Sequence, residues 1–240
     1  PNGIDGTHSY SVRLTDEKLG WLRKDLATVD KQTPVFVGMH VPLHKTPTLD
    51  DTGRTTTSYN MEDAERFVEC LEGYDVNILT GHTHYNFNIT KSERLREHNI
   101  AAVCATWWWT GHTDYAGNHI CRDGSPGGYK IFEATGSDVR WYYKSIGKDA
   151  GYQFRTYDLN ECLLEKSDFC PSASDSDFAK YAFGYDRAND NNEVLINVFD
   201  WADDWKIFRT IRLSRCSASV RTILCMSSPT ICGNSTRRAQ

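Results

Sequence analysis

No stretch of the chain offers the roughly 18 consecutive apolar residues that a membrane-spanning helix requires, so no transmembrane segment is expected. The longest apolar run, Ile100 to Trp109, is interrupted by Thr106 and reads as a buried strand leading into an aromatic loop. None of the eight cysteines stands in a C-x-x-C pair, which excludes a zinc knuckle and a thioredoxin-type redox motif. Cys162 and Cys170 are spaced to close a short loop, as suits an oxidising compartment, although isolated buried thiols are the plainer reading. A basic excess is missing too. With 27 Lys and Arg against 32 Asp and Glu, the net charge is -5 and the pI about 5.9. Such a field attracts no nucleic acid, so no nucleic-acid partner is expected and any substrate phosphate must be handled locally. The chain opens at Pro1-Asn2-Gly3 with neither an initiator Met nor the basic and apolar regions of a signal peptide, and reads as an internal fragment. Finally, no Asp or Glu occurs from Trp205 to Gln240, where Ser, Arg, Thr and Cys crowd together and periodicity fades.

What is present is layered. Residues 15–30 read as a helix: Thr15 suits the N-cap, Asp16 and Glu17 suit the first turn, and Leu19, Leu22, Leu26 and Val29 recur at helical spacing. Thr33-Pro34 breaks it, and Val35 to Met39 reads as a strand apolar on both faces. A Thr-rich polar loop from Lys45 to Tyr59 leads to a second helix near Met61 to Leu71, striped by Ala64, Phe67, Val68 and Leu71. Val76 to Thr80 is the next buried strand. This order of helix, strand, helix and strand indicates an α/β domain. Strands are then expected at Ala101 to Ala105, Tyr129 to Glu133 and Val139 to Tyr143, with a turn at Gly124-Ser125-Pro126-Gly127-Gly128. Past Gly147 further strands are expected at Tyr152 to Tyr157, Glu193 to Phe199 and Trp205 to Arg212, a long polar stretch from Asp158 to Asn192 separating the first two. The expected organisation is therefore two domains, 1–147 and 148–240, the second a small all-β sandwich.

Chemistry in such folds sits just beyond the C-terminal ends of strands. His40 follows the first apolar strand, and His82 and His84 follow the second. A lone histidine there is commonly a surface residue. A Gly-His-Thr-His turn paired with an earlier strand-end His points instead to metal, because alternate residues of an extended loop can reach one ion cluster and imidazole is the commonest transition-metal ligand.

Leu19-Gly-Trp-Leu-Arg-Lys-Asp-Leu26, Val35-Phe-Val-Gly-Met-His-Val-Pro-Leu43 and Gly81-His-Thr-His84 together resemble the C-terminal half of the calcineurin-like metallophosphoesterases. Trp107-Trp-Trp-Thr-Gly111, Asp123-Gly-Ser-Pro-Gly-Gly-Tyr129 and Asn197-Val-Phe-Asp-Trp201 with Trp205 are similar to a bacterial branch in which a β-rich domain follows the catalytic one. The likeness implies a partial metallophosphoesterase β-sandwich with flanking helices, followed by the small β domain. It also implies two divalent ions (manganese, iron or zinc) that polarise a phosphate mono- or diester and activate the attacking water. His40 and His82 would bind one ion and His84 the other. The family's carboxylate-bearing motifs precede the strand that carries His40, so no catalytic residue of that half is expected in this chain, and the chain alone is expected to be inactive. Gly117-Asn118-His119 imitates the family's Asn-His motif but comes too late and is followed by Ile120 in place of an acid.

His44, four residues past His40, Trp107, whose run could wall a substrate with aromatic faces, and Asp123, which could orient a ligand, are candidate substrate contacts. The competing explanations are solvent, core packing and turn formation, in that order. The implied partner is a phosphorylated small molecule or a glycan or lipid phosphate, and the implied location is the periplasm or cell surface. The alternative is a non-catalytic cell-surface or ligand-binding module that keeps the fold. The likeness stops near Leu213, so residues 214–240 read either as an out-of-frame stretch or as a disordered Arg/Ser tail.

Overall fold

The computed structural model describes residues 11–51, 55–101, 121, 123–182, 184–202, 205 and 222–226. Thr15 starts the first helix, α1 (Asp16–Leu26), its hydroxyl accepting the Lys18 N–H at 3.3 Å. Acidic Asp16 and Glu17 in the first turn and basic Arg23 and Lys24 in the last both complement the helix dipole. The chain then forms β1 (Pro34–Gly38), a two-residue-per-strand hairpin of β2 (Thr48–Leu49) and β3 (Thr55–Thr56), and α2 (Ala64–Leu71). Strand β4 (Asp75–Thr80) precedes a hairpin of β5 (Phe87–Ser92) and β6 (Leu95–Asn99).

β1, β4 and β6 run parallel and β5 antiparallel in one sheet, ordered β1-β4-β6-β5. Register puts Val35 beside Val76 and Val37 beside Ile78. These side chains meet Leu19 and Leu26 of α1 and Phe67 and Leu71 of α2 in one core. Each such side chain, fully withdrawn from water, contributes about 1.5–3 kcal/mol. β4 fits the expectation of a strand covered on both faces. β1 departs from it: β4 is its one partner among the described residues, and Phe36 on the other face stays 40% exposed.

A second hairpin, β7 (Gly128–Thr135) and β8 (Asp138–Ser145), covers that other face. Phe132 packs edge-on against Phe36 at 5.6 Å and against His98 at 5.0 Å, and Trp141 meets the His98 ring at 4.7 Å. Gly128 is required where the hairpin begins, because a Cβ there would lie 2.6 Å from Lys144 O and 2.7 Å from the Tyr143 ring. Between hairpin and sheet lies a sealed polar nest. His98 Nδ1 is 2.7 Å from Asn88 Oδ1 and Nε2 is 3.1 Å from the Asn77 amide. Lys130 Nζ donates to Asn88 Oδ1 at 2.6 Å and pairs with Asp200 at 2.9 Å, both side chains fully buried. Burial pushes Lys130 down and Asp200 up, toward their neutral forms, and their mutual attraction opposes both shifts. Burial, with the nearby charges of Lys130 and Arg96, pushes His98 down to about 2, so its ring is neutral.

The chain divides into two compact units, Pro1–Gln153 with Phe199–Trp205 and Phe154–Val198 with Lys206–Gln240. The second holds β9 (Phe154–Asp158), two short helices α3 (Lys166–Phe169) and α4 (Asp175–Ala182), β10 (Glu193–Val198) and β11 (Thr222–Met226). β10 lies between antiparallel β9 and parallel β11. Both helices occupy the stretch read from sequence only as a polar connection. Of the tail, Thr222–Met226 forms β11; the rest, and residues 102–105 and 206–212 of two expected strands, lie outside the described residues. Cys162 and Cys170 are free thiols, so the short loop is not closed. No described helix is long and apolar enough to cross a membrane. The architecture is α/β and rich in sheet.

Candidate metal centre

Because β1 and β4 are parallel neighbours, their C-terminal ends emerge side by side. Two backbone bonds carry the ladder past both ends: Met39 N donates to Leu79 O at 3.0 Å, and Gly81 N to His40 O at 3.0 Å. His40 and His82 each stand two residues beyond their strand and are thereby brought together. His40 Nε2 and His82 Nδ1 are 3.2 Å apart, with ring centroids 5.0 Å apart and planes nearly perpendicular at 77°.

The turn itself is strained. His82 (φ 67°) and His84 (φ 60°) both adopt the left-handed conformation, which is uncommon outside glycine and costs about 1–3 kcal/mol per residue unless the surroundings impose it. Thr83 between them donates its N–H to Gly81 O at 2.7 Å. The imposing group is Asn99, whose amide nitrogen donates to Thr83 Oγ1 at 2.5 Å and to Tyr85 O at 2.6 Å. Desolvation, then the charges of His40 and His84, lowers the pKa of His82 and keeps its lone pair available.

Two imidazole nitrogens at this separation suit one cation. Zinc–nitrogen bonds of about 2.0–2.1 Å in tetrahedral geometry put two donors about 3.3–3.4 Å apart. The same separation suits a ring-to-ring hydrogen bond when one nitrogen carries the proton. No group of three His, Cys, Asp or Glu side chains converges for a metal among the described residues. The donor set therefore fits part of a metal site and supplies no carboxylate to bridge two ions.

The remaining candidates divide. His44 is buried, its ring tilted over Tyr59 at 4.9 Å and its Nδ1 2.7 Å from Glu97 Oε2; buried Nε2 has no hydrogen-bond partner. Asp123 is held within its own turn, accepting from Ser125 N at 3.1 Å and Ser125 Oγ at 2.7 Å, and burial raises its pKa. Trp107, its neighbours through Trp109 and Gly117-Asn118-His119 lie outside the described residues.

Sequence reasoning missed Glu97 and Asn99. Both are buried, on one side of β6, and both contact Thr80 at the end of β4: its hydroxyl lies 3.2 Å from Glu97 Oε1 and 3.0 Å from Asn99 Oδ1. A carboxylate and an amide flanking a histidine in Leu-Arg-Glu-His-Asn gave no periodic signal for a buried strand.

The family model described as "C terminal of Calcineurin-like phosphoesterase" matches residues 97–216, half of the 240-residue chain. A comparison with curated proteins finds no match.

Proposed function

Since the chain belongs to the calcineurin-like phosphoesterases, whose C-terminal domain it matches, we propose that it forms part of a metal-dependent enzyme hydrolysing a phosphate mono- or diester. His40 and His82 hold one divalent ion, and His84, the next histidine of the turn, serves a second. When bound, such ions polarise the phosphate and lower the pKa of water to make a nucleophile at neutral pH. The residues of this chain supply donors and orientation: imidazole nitrogens from two adjacent strand ends, and a turn held in the left-handed conformation at His82 and His84. The observation that carries the reading is the 3.2 Å approach of His40 Nε2 to His82 Nδ1 from two separate strand ends.

Substrates of this reading are phosphorylated small molecules or glycan or lipid phosphates, and the location is periplasmic or at the cell surface. Imidazole ligands bring no negative charge against that of two dications, so metal affinity at these three residues is weak and turnover by this chain is close to background. Calorimetric titration with manganese tests the site: weak binding to the wild-type chain, lost in His40→Ala and in His82→Ala, is the expected result. No binding at millimolar manganese would overturn the assignment. Robust hydrolysis of an aryl phosphate, abolished by His82→Ala, would show that these residues suffice for catalysis without further carboxylates.

A further inference from the structure

The two histidine-bearing strand exits meet at one buried carboxylate. Glu97 is 2% exposed and sits on β6, next to β4 in the sheet. Its Oε1 accepts the Leu43 N–H at 2.8 Å and lies 3.2 Å from the Thr80 hydroxyl. Its Oε2 accepts the His44 N–H at 3.1 Å and lies 2.7 Å from His44 Nδ1. Leu43 and His44 belong to the loop that leaves β1 through His40. Thr80 is the last residue of β4, two before His82. One side chain thus joins the loop behind one histidine to the strand end behind the other.

We propose that Glu97 is a positioning residue for the metal-binding histidines, acting through the Val41–His44 loop and Thr80; this rests on the reading of His40 and His82 as ligands. A carboxylate suits the place because it only accepts: the Leu43 and His44 backbone N–H groups donate to it, His44 Nδ1 donates in the tautomer that carries its proton, and the Thr80 hydroxyl shares its one proton between Glu97 Oε1 and Asn99 Oδ1. Hydrogen bonds to an ionised acceptor are the stronger kind, and burial removes the water that would compete for them. The loop from His40 to His44 has no regular structure of its own beyond the single bridge of His44 to Tyr59, so its path depends on such ties. Glutamine at 97 keeps the size but turns an N–H₂ toward donors, losing the bonds of one arm. Partners of metal ligands typically affect affinity by about 10–100-fold, and an indirect tie through backbone belongs near the lower end.

The test combines two readouts on the intact chain. The first is metal-independent: NMR of the histidine rings, following the short-range contact between His40 and His82 in wild type, Glu97→Gln and Thr80→Val. The second is cobalt(II) titration followed by visible absorption. Glu97→Gln is expected to keep a dispersed amide spectrum, lose the ring contact and bind cobalt about tenfold more weakly. Thr80→Val, which removes the hydroxyl's contacts to Glu97 Oε1 and Asn99 Oδ1 but leaves the bonds from Glu97 to the Val41–His44 loop, is expected to weaken binding about threefold and so covers the case in which Glu97→Gln does not fold. An unchanged ring contact in a folded Glu97→Gln, or an unchanged contact and affinity in Thr80→Val, overturns the proposal. If the wild-type chain shows the ring contact, Glu97→Gln loses it, and neither binds cobalt, Glu97 keeps its positioning role and the metal reading fails instead.

Discussion

β6 presents two buried polar clusters on opposite faces, built from consecutive residues and put to different use. On the helix-covered side, Glu97 and Asn99 reach out of the core to a loop and a turn whose histidines stand at the surface. On the hairpin side, His98 is enclosed with Asn77, Asn88, Lys130 and Asp200, and these polar side chains bond chiefly to one another. The second cluster also holds the buried Asn77 Nδ2 without a hydrogen-bond partner, and only the first controls geometry at a place a ligand can reach. Buried polarity alone does not mark a functional site; what matters is where its bonds lead.

The comparison is sharpened most by breaking the sealed side. Lys130→Met leaves Asp200 buried and unpaired, and should cost about 3–5 kcal/mol in urea unfolding, with the double variant Lys130→Met/Asp200→Leu recovering much of it. The His40–His82 contact should survive in whatever fraction stays folded; its loss there would mean that the two faces are not separable.

A second effect follows from His98. Its folded pKa of about 2 lies below the unfolded value of 6.5, so the unfolded chain binds a proton between those values that the native chain does not. The contribution is complete above pH 6.5 and declines as pH falls toward 2. At about 1.4 kcal/mol per pH unit, it amounts to about 2 kcal/mol lost between pH 7 and pH 5. Urea midpoints at the two pH values measure it, and His98→Gln should flatten the difference.

The hairpin entrance has an effect of similar size. Gly128→Ala forces a Cβ against Lys144 O and the Tyr143 ring, and should destabilise by about 1–3 kcal/mol on thermal unfolding. As a reference for ion pairs outside either cluster, Asp16→Asn removes the exposed 2.6 Å pair to Arg66 and should leave the unfolding midpoint unchanged.

Much of the helix-covered side was legible in the sequence. Thr15, the Leu19-Leu22-Leu26-Val29 stripe, the apolar run at Val35 and the strand at Val76 are local signals; the structure keeps the helix start and both strands within a residue, while α1 stops at Leu26, short of the expected residue 30. The Gly-His-Thr-His turn was legible for the same reason. The β5–β6 hairpin was not, because Asn88, Glu97, His98 and Asn99 are polar at positions whose burial depends on distant partners. Glu97 finds the Leu43 N–H at a separation of 54 residues, and His98 is sealed by a hairpin from residues 128–145. The two helices between β9 and β10 were hidden by polar composition, since only Ala182 of α4 is buried. That β1 has β4 as its one partner among the described residues follows from sheet order, to which apolar content is blind.

The central claim is that His40 and His82 are ligands of one cation. Zinc-edge X-ray absorption of the zinc-loaded chain tests it most directly. The account requires nitrogen scatterers at about 2.0–2.1 Å with the multiple-scattering pattern of at least two imidazoles, reduced by one in His82→Ala. A shell of oxygen alone, identical in wild type and His82→Ala, would contradict it.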